Sequence, residues 1–327
     1  MRVLVTGATG FTGGHLVRAL RARGDEVIPM VRSVRGAARL QEDGFRVVVG
    51  DLARPDTLPE AVRGGFDVIY NIAALYRQAG LADRVYHQVN AIAVGQLIEA
   101  AAAAGVRRFV HCSTVGVHGD VEHPPANEDA PLRPGDVYQV SKAEGERIAR
   151  EAAARTGVEV VIARPSGIYG PGDRRLLKLF RGVARRRFVI LGDGRIFYHL
   201  TYINDLVEGL RLCGAVPAAA GRTYILAGAE VPVLNDLAAM IAEEAHVRPP
   251  NIYLPVWPFW FAGAACEAIC APLGIEPPIY RRRVDFFTKS RAFDISRARA
   301  ELGYAPQVSL RQGIQRTLVW YKQHQWL

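Results

Sequence analysis

Tyr138 and Lys142 are the residues of this sequence best suited to moving a proton. Residues four apart share one face of a helix, so both side chains should enter the same cleft. A free tyrosine ionises near ~10, which is too high for a base at neutral pH. The ammonium of Lys142 and a positively charged nicotinamide would lower the pKa of Tyr138. Tyr138 could then exchange a proton with a secondary alcohol or ketone, while Lys142 also holds the nicotinamide ribose.

Two hydroxyl side chains precede this pair, directly after the predicted strand Arg108–Cys112. In parallel sheets, ligands bind in the crevice at the carboxyl ends of the strands. We therefore expect Thr114 to hydrogen-bond the reacting oxygen, with Ser113 as the alternative.

A glycine-rich turn, Thr6–Gly13, lies between the predicted strand Val3–Val5 and the predicted helix His15–Arg23. Its glycines permit a tight turn and let backbone N–H groups approach a pyrophosphate at the positive end of the helix. The strand before it and the helix after it make the motif more specific than glycines alone. We expect a dinucleotide to contact Gly7, Gly10, Phe11, Thr12 and Gly13.

Arg32 follows the second predicted strand, Val27–Val31, where NAD-binding sheets usually place a carboxylate for the ribose 2′-hydroxyl. An arginine instead pairs with a 2′-phosphate, so the sequence favours NADP. NAD stays open, since Arg32 could stack on adenine with either cofactor. Asp51 and Leu52 should lie at the adenine. The adenosine ribose and phosphates should lie against Ile72, Ala73 and Ala74.

Strands and helices alternate through the first half of the chain, which predicts an α/β fold with a doubly wound parallel sheet. The expected helices there include Val89–Ala104 and Lys142–Thr156. We predict a dinucleotide-binding domain over residues 1–165, rejoined by segments near 196–228. Residues 166–327 should mainly form a smaller, irregular substrate-binding lid.

Composition narrows the function classes. The chain has 327 residues and a formal net charge of +9. The positive residues are scattered and no nucleic-acid recognition motif is present, so we expect a small-molecule substrate and no nucleic-acid partner. The four cysteines form no CxxC pair, which favours reduced thiols, no metal and a cytoplasmic location. Met1–Val5 already forms the predicted first strand, so no signal peptide is expected.

Residues 254–275 form an apolar stretch whose length approaches that of a membrane span. Pro258, Glu267 and Pro272 interrupt it, and a charge in mid-span is costly in lipid. We expect a core or pocket-lining helix here. Peripheral contact with a membrane surface, and hence membrane association, is the alternative.

Taken together, these motifs resemble the extended short-chain dehydrogenase/reductase superfamily, over nearly the whole chain. The matching stretches are Thr6–Gly13, Gly50–Leu52, Val89-Asn90, Ser113-Thr114, Tyr138–Lys142, Arg164–Gly172 and Phe293–Tyr304.

The resemblance implies an NAD(P)-dependent enzyme on a Rossmann fold, with Thr114, Tyr138 and Lys142 as the catalytic triad. Asn90 would order the neighbouring helix and belong to the cofactor site. Dimers that form through two helices are expected from the resemblance. We also expect the cofactor to contact Pro165 and Ser166.

Several positions depart from the nucleotide-sugar branch of the superfamily. Arg32 replaces its usual aspartate, Gly167 replaces the asparagine of its Arg-Pro-x-Asn motif, and Tyr198–Ile203 lacks its usual arginine. Gly167 and the aromatic stretch Trp257–Phe261 are similar to the 3β-hydroxysteroid dehydrogenase-like branch. The expected substrate contacts are Tyr76, Gly167, Arg174, Tyr198, Trp257 and Arg282.

Three functions follow from these features. The first is hydride transfer to or from a secondary alcohol or ketone carbon of a bulky, hydrophobic, sterol-like substrate, with Tyr138 as general acid/base. The second is a nucleotide-sugar epimerase, dehydratase or decarboxylase with tightly bound NAD. The third is a non-catalytic cofactor sensor, against which the retention of Thr114, Tyr138 and Lys142 argues.

Overall fold

The computed structural model describes residues 1–76, 80–270 and 281–327, and for residues 281–283 it describes the backbone alone. Its strands are β1 Arg2–Thr6, β2 Glu26–Val31, β3 Val48–Val49, β4 Val68–Asn71, β5 Arg108–Cys112, β6 Glu159–Pro165, β7 Gly167–Tyr169, β8 Ile190–Leu191, β9 Leu200–Tyr202, β10 Thr223–Leu226 and β11 Tyr253–Leu254.

The helices of the described residues surround and extend this sheet framework. They are α1 Phe11–Ala22, α2 Ala38–Glu42, α3 Leu58–Ala61, α4 Asp83–His87, α5 Ala93–Ala103, α6 Val137–Thr156, α7 Leu177–Ala184, α8 Ile203–Ala215, α9 Leu234–Glu244, α10 Val256–Cys270, α11 Arg281–Thr288, α12 Ser296–Leu302 and α13 Leu310–Gln323.

Seven parallel strands form the central sheet in the order β10-β6-β5-β4-β1-β2-β3. Its inner strands read as continuous apolar runs because helices cover both faces, and β1, β4 and β5 are almost wholly buried. Two separate apolar clusters fill the two faces of the sheet. The predicted doubly wound parallel sheet is confirmed.

Three predicted helices begin at other residues than expected. The helix expected from His15 starts at Phe11, directly after the glycine-rich turn. The helix expected from Lys142 starts five residues earlier, at Val137, because the Asp136 side chain caps its first turn by accepting from the Gln139 backbone N–H. The helix expected from Val89 continues α4 through a single π-helical turn, Gln88–Ile92, into α5. Asn90 lies within that turn.

Two two-stranded parallel sheets lie outside the central one, pairing β7 with β9 and β8 with β11. The strand β10 pairs with β6 at the edge of the central sheet, so the chain returns to that sheet after residue 196. The division near residue 165 into two domains stays a prediction.

The helix α10 corrects the expectation of a core or pocket-lining helix over residues 254–275. Gly263 is its sole buried residue, while Trp257, Phe261 and Ile269 are each more than 60% exposed. Residues 271–275 lie outside the described part of the chain. No helix among the described residues is both long and apolar enough to cross a bilayer.

Candidate active site

A cleft of about 810 Å³ opens along the carboxyl edge of the central sheet. It runs from the glycine-rich turn, past the ends of β2, β4 and β5, to residues from β6, β7 and α11. The crevice at the carboxyl ends of the strands is where ligands bind in open parallel sheets. The cleft contains most of the residues predicted for the site: Gly7, Gly10, Phe11, Thr12, Gly13, Arg32, Asp51, Leu52, Ile72, Ala73, Ala74, Tyr76, Ser113, Thr114, Tyr138, Pro165, Ser166, Gly167 and Tyr198.

The glycine-rich turn requires its glycines at two positions. Gly7 has a φ of +67°, and an added Cβ would lie 2.8 Å from the backbone N of Ala73. A Cβ on Gly13 would lie 2.2 Å from the Gly7 carbonyl oxygen, so α1 can approach the turn this closely only without a side chain. The turn is closed by a hydrogen bond from Gly10 N–H to the Gly7 carbonyl.

This turn and its surroundings fit a dinucleotide. The amino end of α1 opens onto the cleft, where its free backbone N–H groups and dipole favour an anion. The hydroxyl of Ser166 is buried in the cleft wall and has no hydrogen-bond partner among the described residues. Buried hydroxyls are normally satisfied, so this oxygen is available for a ligand group.

At the far end of the cleft, Arg32 follows β2 and is exposed. Asp51 accepts from Ala53 N–H at 2.9 Å and keeps the turn after β3 closed. Ile72, Ala73 and Ala74 follow β4 and leave room beside the glycine turn.

Lys142 is buried beneath the cleft floor. Its Nζ donates to the Cys112 carbonyl at 2.8 Å and lies 3.3 Å from His111 Nε2. Burial lowers the pKa of Lys142 to about 8, against smaller opposing effects of Cys112 and Glu146. A lysine with this pKa is mostly charged at pH 7 and loses its proton more readily than a free lysine.

Tyr138 is half-buried on the first turn of α6 and lines the cleft. Its ring meets the ring of Tyr76 edge to face, with centroids 4.9 Å apart. The Ser141 hydroxyl donates to the Tyr138 carbonyl, and Asn90 donates to the same hydroxyl.

Asn90 connects the segment after β4 to α6 through hydrogen bonds. It is not among the described residues that line the cleft. Its side chain accepts from Leu75 N–H at 2.8 Å and donates to the Leu75 carbonyl at 3.0 Å. With the bond to Ser141, it ties the segment after β4 to α6. The π-helical turn orients Asn90 for these contacts, as such turns often do near functional sites.

Ser113 and Thr114 have different partners. Ser113 is buried, and its hydroxyl donates to Glu146 at 2.6 Å. Burial acts to raise the pKa of Glu146, but the hydrogen bond and charge of Arg164 outweigh it, so the pKa is lowered. Thr114 Oγ1 accepts from Gly116 N–H, which leaves its own hydrogen available to the cleft. Of the two hydroxyls, Thr114 is the one free to serve a substrate.

Some predicted substrate contacts lie elsewhere. The guanidinium of Arg174 lies over the ring of Trp326 at 5.0 Å, and Trp257 is 65% exposed on α10. Neither belongs to the described cleft lining. The side chain of Arg282 lies outside the described part of the chain.

The end of the cleft near Tyr198, which we call the substrate end, is also lined by Lys289, a cation that the sequence had offered for binding a phosphate or carboxylate. The sequence prediction missed three further lining residues, Arg175, Phe286 and Arg291. The Arg175 guanidinium lies 5.9 Å from the Phe11 ring centroid and 5.7 Å from that of Tyr76. Asp173 accepts from Arg175 N–H and fixes a turn that sends Arg175, rather than Arg174, inward. The sequence signal was a pair of adjacent arginines, which does not indicate which one faces the cleft.

These features define an enzyme class. A model of the NAD dependent epimerase/dehydratase family matches residues 3–227. The chain belongs to this family, and its resemblance to the extended short-chain dehydrogenases/reductases is confirmed. It is thus an enzyme of a nicotinamide-dinucleotide-dependent family, and the reading as a non-catalytic sensor is set aside.

Two curated relatives match over nearly full length. The chain is 31% identical over 327 residues to 2-alkyl-3-oxoalkanoate reductase of Stenotrophomonas maltophilia, covering 97% of this chain and 98% of that protein. It is 30% identical over 335 residues to the decarboxylating sterol-4-alpha-carboxylate 3-dehydrogenase of Schizosaccharomyces pombe, covering 97% and 96%. Among solved structures, MoeE5 in complex with UDP-glucose and NAD matches with a TM-score of 0.76 and 27% identity, covering 99% of this chain and 100% of that one.

Proposed function

We propose that this chain is an NAD(P)-dependent dehydrogenase or reductase that interconverts a secondary alcohol and a ketone on a bulky, largely hydrophobic substrate. One observation carries the proposal. Tyr138 lines a cleft that joins a dinucleotide-binding turn to a partly aromatic chamber formed by Tyr76, Tyr198 and Phe286, and buried Lys142 lies one helical turn from it.

The side chains divide the proton chemistry between them. A bound nicotinamide dinucleotide supplies or accepts the hydride. Tyr138 gives a proton to the ketone oxygen in reduction, or takes it from the alcohol in oxidation. Thr114 would donate a hydrogen bond to the same oxygen, and Lys142 is the residue that would hold the nicotinamide ribose. Tyr76 packs edge to face against the Tyr138 ring at the wall of the cleft.

The substrate end of the cleft favours an acidic group next to the reacting carbon. The names of both relatives describe a carboxylate on the carbon beside the carbon that is oxidised or reduced. Arg175, Lys289 and Arg291 line this cleft, and arginine pairs bidentately with a carboxylate. Lys289 is paired with Asp285 at 2.9 Å, and Arg175 with Asp173 at 3.3 Å. Arg175 is our choice for the carboxylate partner, because its guanidinium has five N–H donors and lies close to the ring of Tyr76 in the cleft. We therefore propose a bulky 3-oxo or 3-hydroxy carboxylic acid as substrate.

For the cofactor we propose NADP. The support is Arg32, which lines the end of the cleft beyond β2 and is exposed toward it. In that position a guanidinium can pair with a 2′-phosphate, whereas no carboxylate stands there to receive a 2′-hydroxyl.

A nucleotide-sugar epimerase or dehydratase is the second candidate. MoeE5, the matching structure, holds UDP-glucose and NAD, and the cations at the substrate end could pair with a diphosphate. Against it stand Gly167 and Arg32, which replace polar groups typical of that branch.

The direct experiment is turnover of purified enzyme with NADPH or NADH and a series of 2-alkyl-3-oxo acids of increasing chain length. We expect one cofactor oxidised per hydroxy acid formed. Tyr138→Phe should lower kcat by at least about 100-fold while the Kd for NADPH stays within twofold. No net cofactor oxidation with any ketone, combined with conversion of a UDP-, GDP- or dTDP-sugar, would replace this proposal by the second candidate.

A further inference from the structure

Gln139 follows Tyr138 on the first turn of α6, and its half-buried side chain lines the cleft. Its amide oxygen accepts from the Gly135 backbone N–H at 2.7 Å. Its own backbone N–H donates to the Asp136 side chain at 2.9 Å, which caps the helix. The side chain is therefore held at the amino end of α6, beside Tyr138.

The bond from Gly135 fixes which way the amide of Gln139 faces. Turning the amide round would set its NH2 group against the Gly135 N–H, so two donors would meet without an acceptor. The amide nitrogen therefore points away from Gly135. Within the part of the chain that the structure describes, Gln139 Nε2 makes no hydrogen bond, so both of its hydrogens are available to a ligand.

This nitrogen and the Thr114 hydroxyl border a space that Gly116 leaves open. A Cβ added to Gly116 would lie 3.3 Å from Gln139 Nε2 and 3.2 Å from Thr114 Oγ1, so the two polar atoms flank one point. Thr114 Oγ1 accepts from the Gly116 N–H at 3.0 Å, which leaves its hydrogen as a second free donor. Two donors thus face the same small volume of the cleft.

Two neighbouring donors suit a substrate that carries two oxygens close together. In a 3-oxo acid a single carbon separates the ketone from the carboxyl group, so the oxygens of both groups can reach adjacent donors. Under the proposed function, the ketone oxygen lies at Thr114 and Tyr138. One carboxyl oxygen can then accept from Gln139, and the other is left for Arg175.

We propose that Gln139 is a substrate-binding residue, whose amide N–H donates to the carboxyl group of a 3-oxo acid and so selects that acid over a ketone without the group. The inference rests on the proposed function, because that function places the ketone oxygen at Thr114. Gln139 and Arg175 have different roles. A guanidinium responds to the charge of the carboxylate, whereas an amide also donates to the neutral carbonyl of an ester.

The charged groups next to Gln139 leave room for an anion. The Asp136 carboxylate is engaged at the helix cap by the Gln139 backbone N–H. A Cβ added to Gly135 would lie 3.5 Å from Lys289 Nζ, so an ammonium stands beside the residue that holds the amide. Lys289 is itself paired with Asp285 at 2.9 Å. A substrate carboxylate here therefore meets donors and an ammonium, and the two acidic side chains already have partners.

The test compares three substrates with the same alkyl chains: a 2-alkyl-3-oxo acid, its methyl ester, and the ketone with hydrogen in place of the carboxyl group. Gln139→Glu keeps an acceptor for Gly135 but replaces the NH2 donor with a charged oxygen. We expect kcat/KM to fall at least about 100-fold for the acid, because like charges then face each other. It should fall about tenfold for the ester, through one lost hydrogen bond, and less than about twofold for the ketone.

Gln139→Leu removes the donor without adding a charge, so the acid and the ester should lose about tenfold alike. Val140→Glu is the matched control, because it places the same charge one residue further along α6, at an exposed site outside the described cleft lining. Its three values should stay within about twofold of the wild type. Unchanged turnover of the acid by Gln139→Glu would overturn the proposal. An equal loss for all three substrates would overturn it too, since that result means a displaced Tyr138.

Binding measurements separate this inference from the proposed function. The 3-hydroxy acid is titrated into the enzyme by calorimetry in the presence of NADPH, which cannot oxidise it. The wild type should bind it at least about tenfold more tightly than Gln139→Glu. That difference, without turnover of any ketone by the wild type, would reject the proposed function and leave the role of Gln139 standing. Turnover that depends on Tyr138, with equal binding by the two proteins, would reject the role of Gln139 alone.

Discussion

The two members of the Tyr138–Lys142 pair have very different surroundings. Lys142 is buried and anchored to the backbone of β5, whereas Tyr138 is half-buried and contacts another aromatic ring at the cleft wall. A fixed cation site beneath a reachable phenol suits a lysine that holds a cofactor and a tyrosine that meets a substrate.

Replacing Arg32 tests whether the enzyme prefers NADPH to NADH. We expect Arg32→Ala to raise the Kd for NADPH by about tenfold, since a charge-assisted hydrogen bond is worth roughly 1.5–3 kcal/mol, partly screened at an exposed site. The Kd for NADH should change less than twofold. Fluorescence titration with both cofactors measures this. Arg35→Ala, an exposed neighbour outside the described cleft lining, is the control. Equal losses for NADPH and NADH would contradict a 2′-phosphate contact.

Arg174 and Arg175 offer an unusually close comparison, since adjacent arginines point to different places. Arg175→Gln should raise KM for a 3-oxo acid by about tenfold and leave KM for its methyl ester unchanged, because the ester has no carboxylate charge to bind. Arg174→Gln should change neither value. Steady-state kinetics with the acid and ester pair is the measurement. A rise in KM for acid and ester alike would remove Arg175 from the carboxylate site.

At the scale of elements, the glycine-rich turn needs glycine because the backbone of α1 lies very close to the backbone of the turn. Gly13→Ala should weaken NADPH binding more than tenfold, because its Cβ would meet the Gly7 carbonyl at 2.2 Å and push α1 from the turn. Gly14→Ala is the matched control, since its Cβ meets the flexible Arg18 side chain at 3.3 Å. It should bind normally, with stability changed by about 1 kcal/mol or less. Thermal unfolding and cofactor titration of both variants decide this, and normal binding by Gly13→Ala would reject the role of the turn.

Elements with a local signal could be predicted from sequence. The strand β1 and the turn after it show an apolar run followed by spaced glycines, and the alternation of strands and helices predicts the doubly wound parallel sheet. The start of α6 was missed because Pro134 and Gly135 precede it and obscure Asp136 as its cap. The π-helical turn at Asn90 has no propensity signal at all, since its geometry is set by contacts with Leu75 and Ser141.

The parts of the site that the sequence could not predict depend on how strands far apart in the sequence align in the sheet. Buried polar contacts link Thr6 with Asn71, which are 65 positions apart, and Asn71 with His111, which are 40 positions apart. Their relation becomes visible only once three strands lie side by side. The inward turn of Arg175 likewise depends on Asp173 and on the rings of Phe11 and Tyr76.

At the scale of the whole molecule, α10 exposes apolar side chains, among them Trp257, Phe261 and Ile269, in the part of the chain that the structure describes. The exposed triplet Arg185–Arg187 precedes β8, which pairs with β11, the strand leading into α10. Exposed aromatics on α10 and a basic triplet near the paired strand would together suit the surface of an anionic bilayer. Peripheral membrane contact is therefore our proposal for this surface. The homodimer stays a prediction.

Binding to lipid vesicles tests whether the exposed apolar side chains of α10 contact a membrane. The wild-type protein should sediment with vesicles containing anionic phosphatidylserine and much less with neutral phosphatidylcholine vesicles. Replacing Trp257 and Phe261 by serine should lower binding at least about tenfold without lowering stability, because both side chains are exposed in the free protein. Val319→Ser, an exposed apolar site on α13, is the control. Concentration-dependent self-association lost in the double variant, without vesicle binding, would instead assign the surface to a second copy of the chain.

The central claim is net transfer of hydride between a free nicotinamide cofactor and a carbinol carbon. It is tested most directly with NADPH carrying deuterium at either face of C4 and a 2-alkyl-3-oxo acid, followed by mass spectrometry of the product. We predict one deuterium on the new carbinol carbon from one of the two labelled cofactors, and at least about 100-fold slower formation of that product with Tyr138→Phe. Unlabelled product together with NAD retained by the protein through a complete turnover would contradict the account.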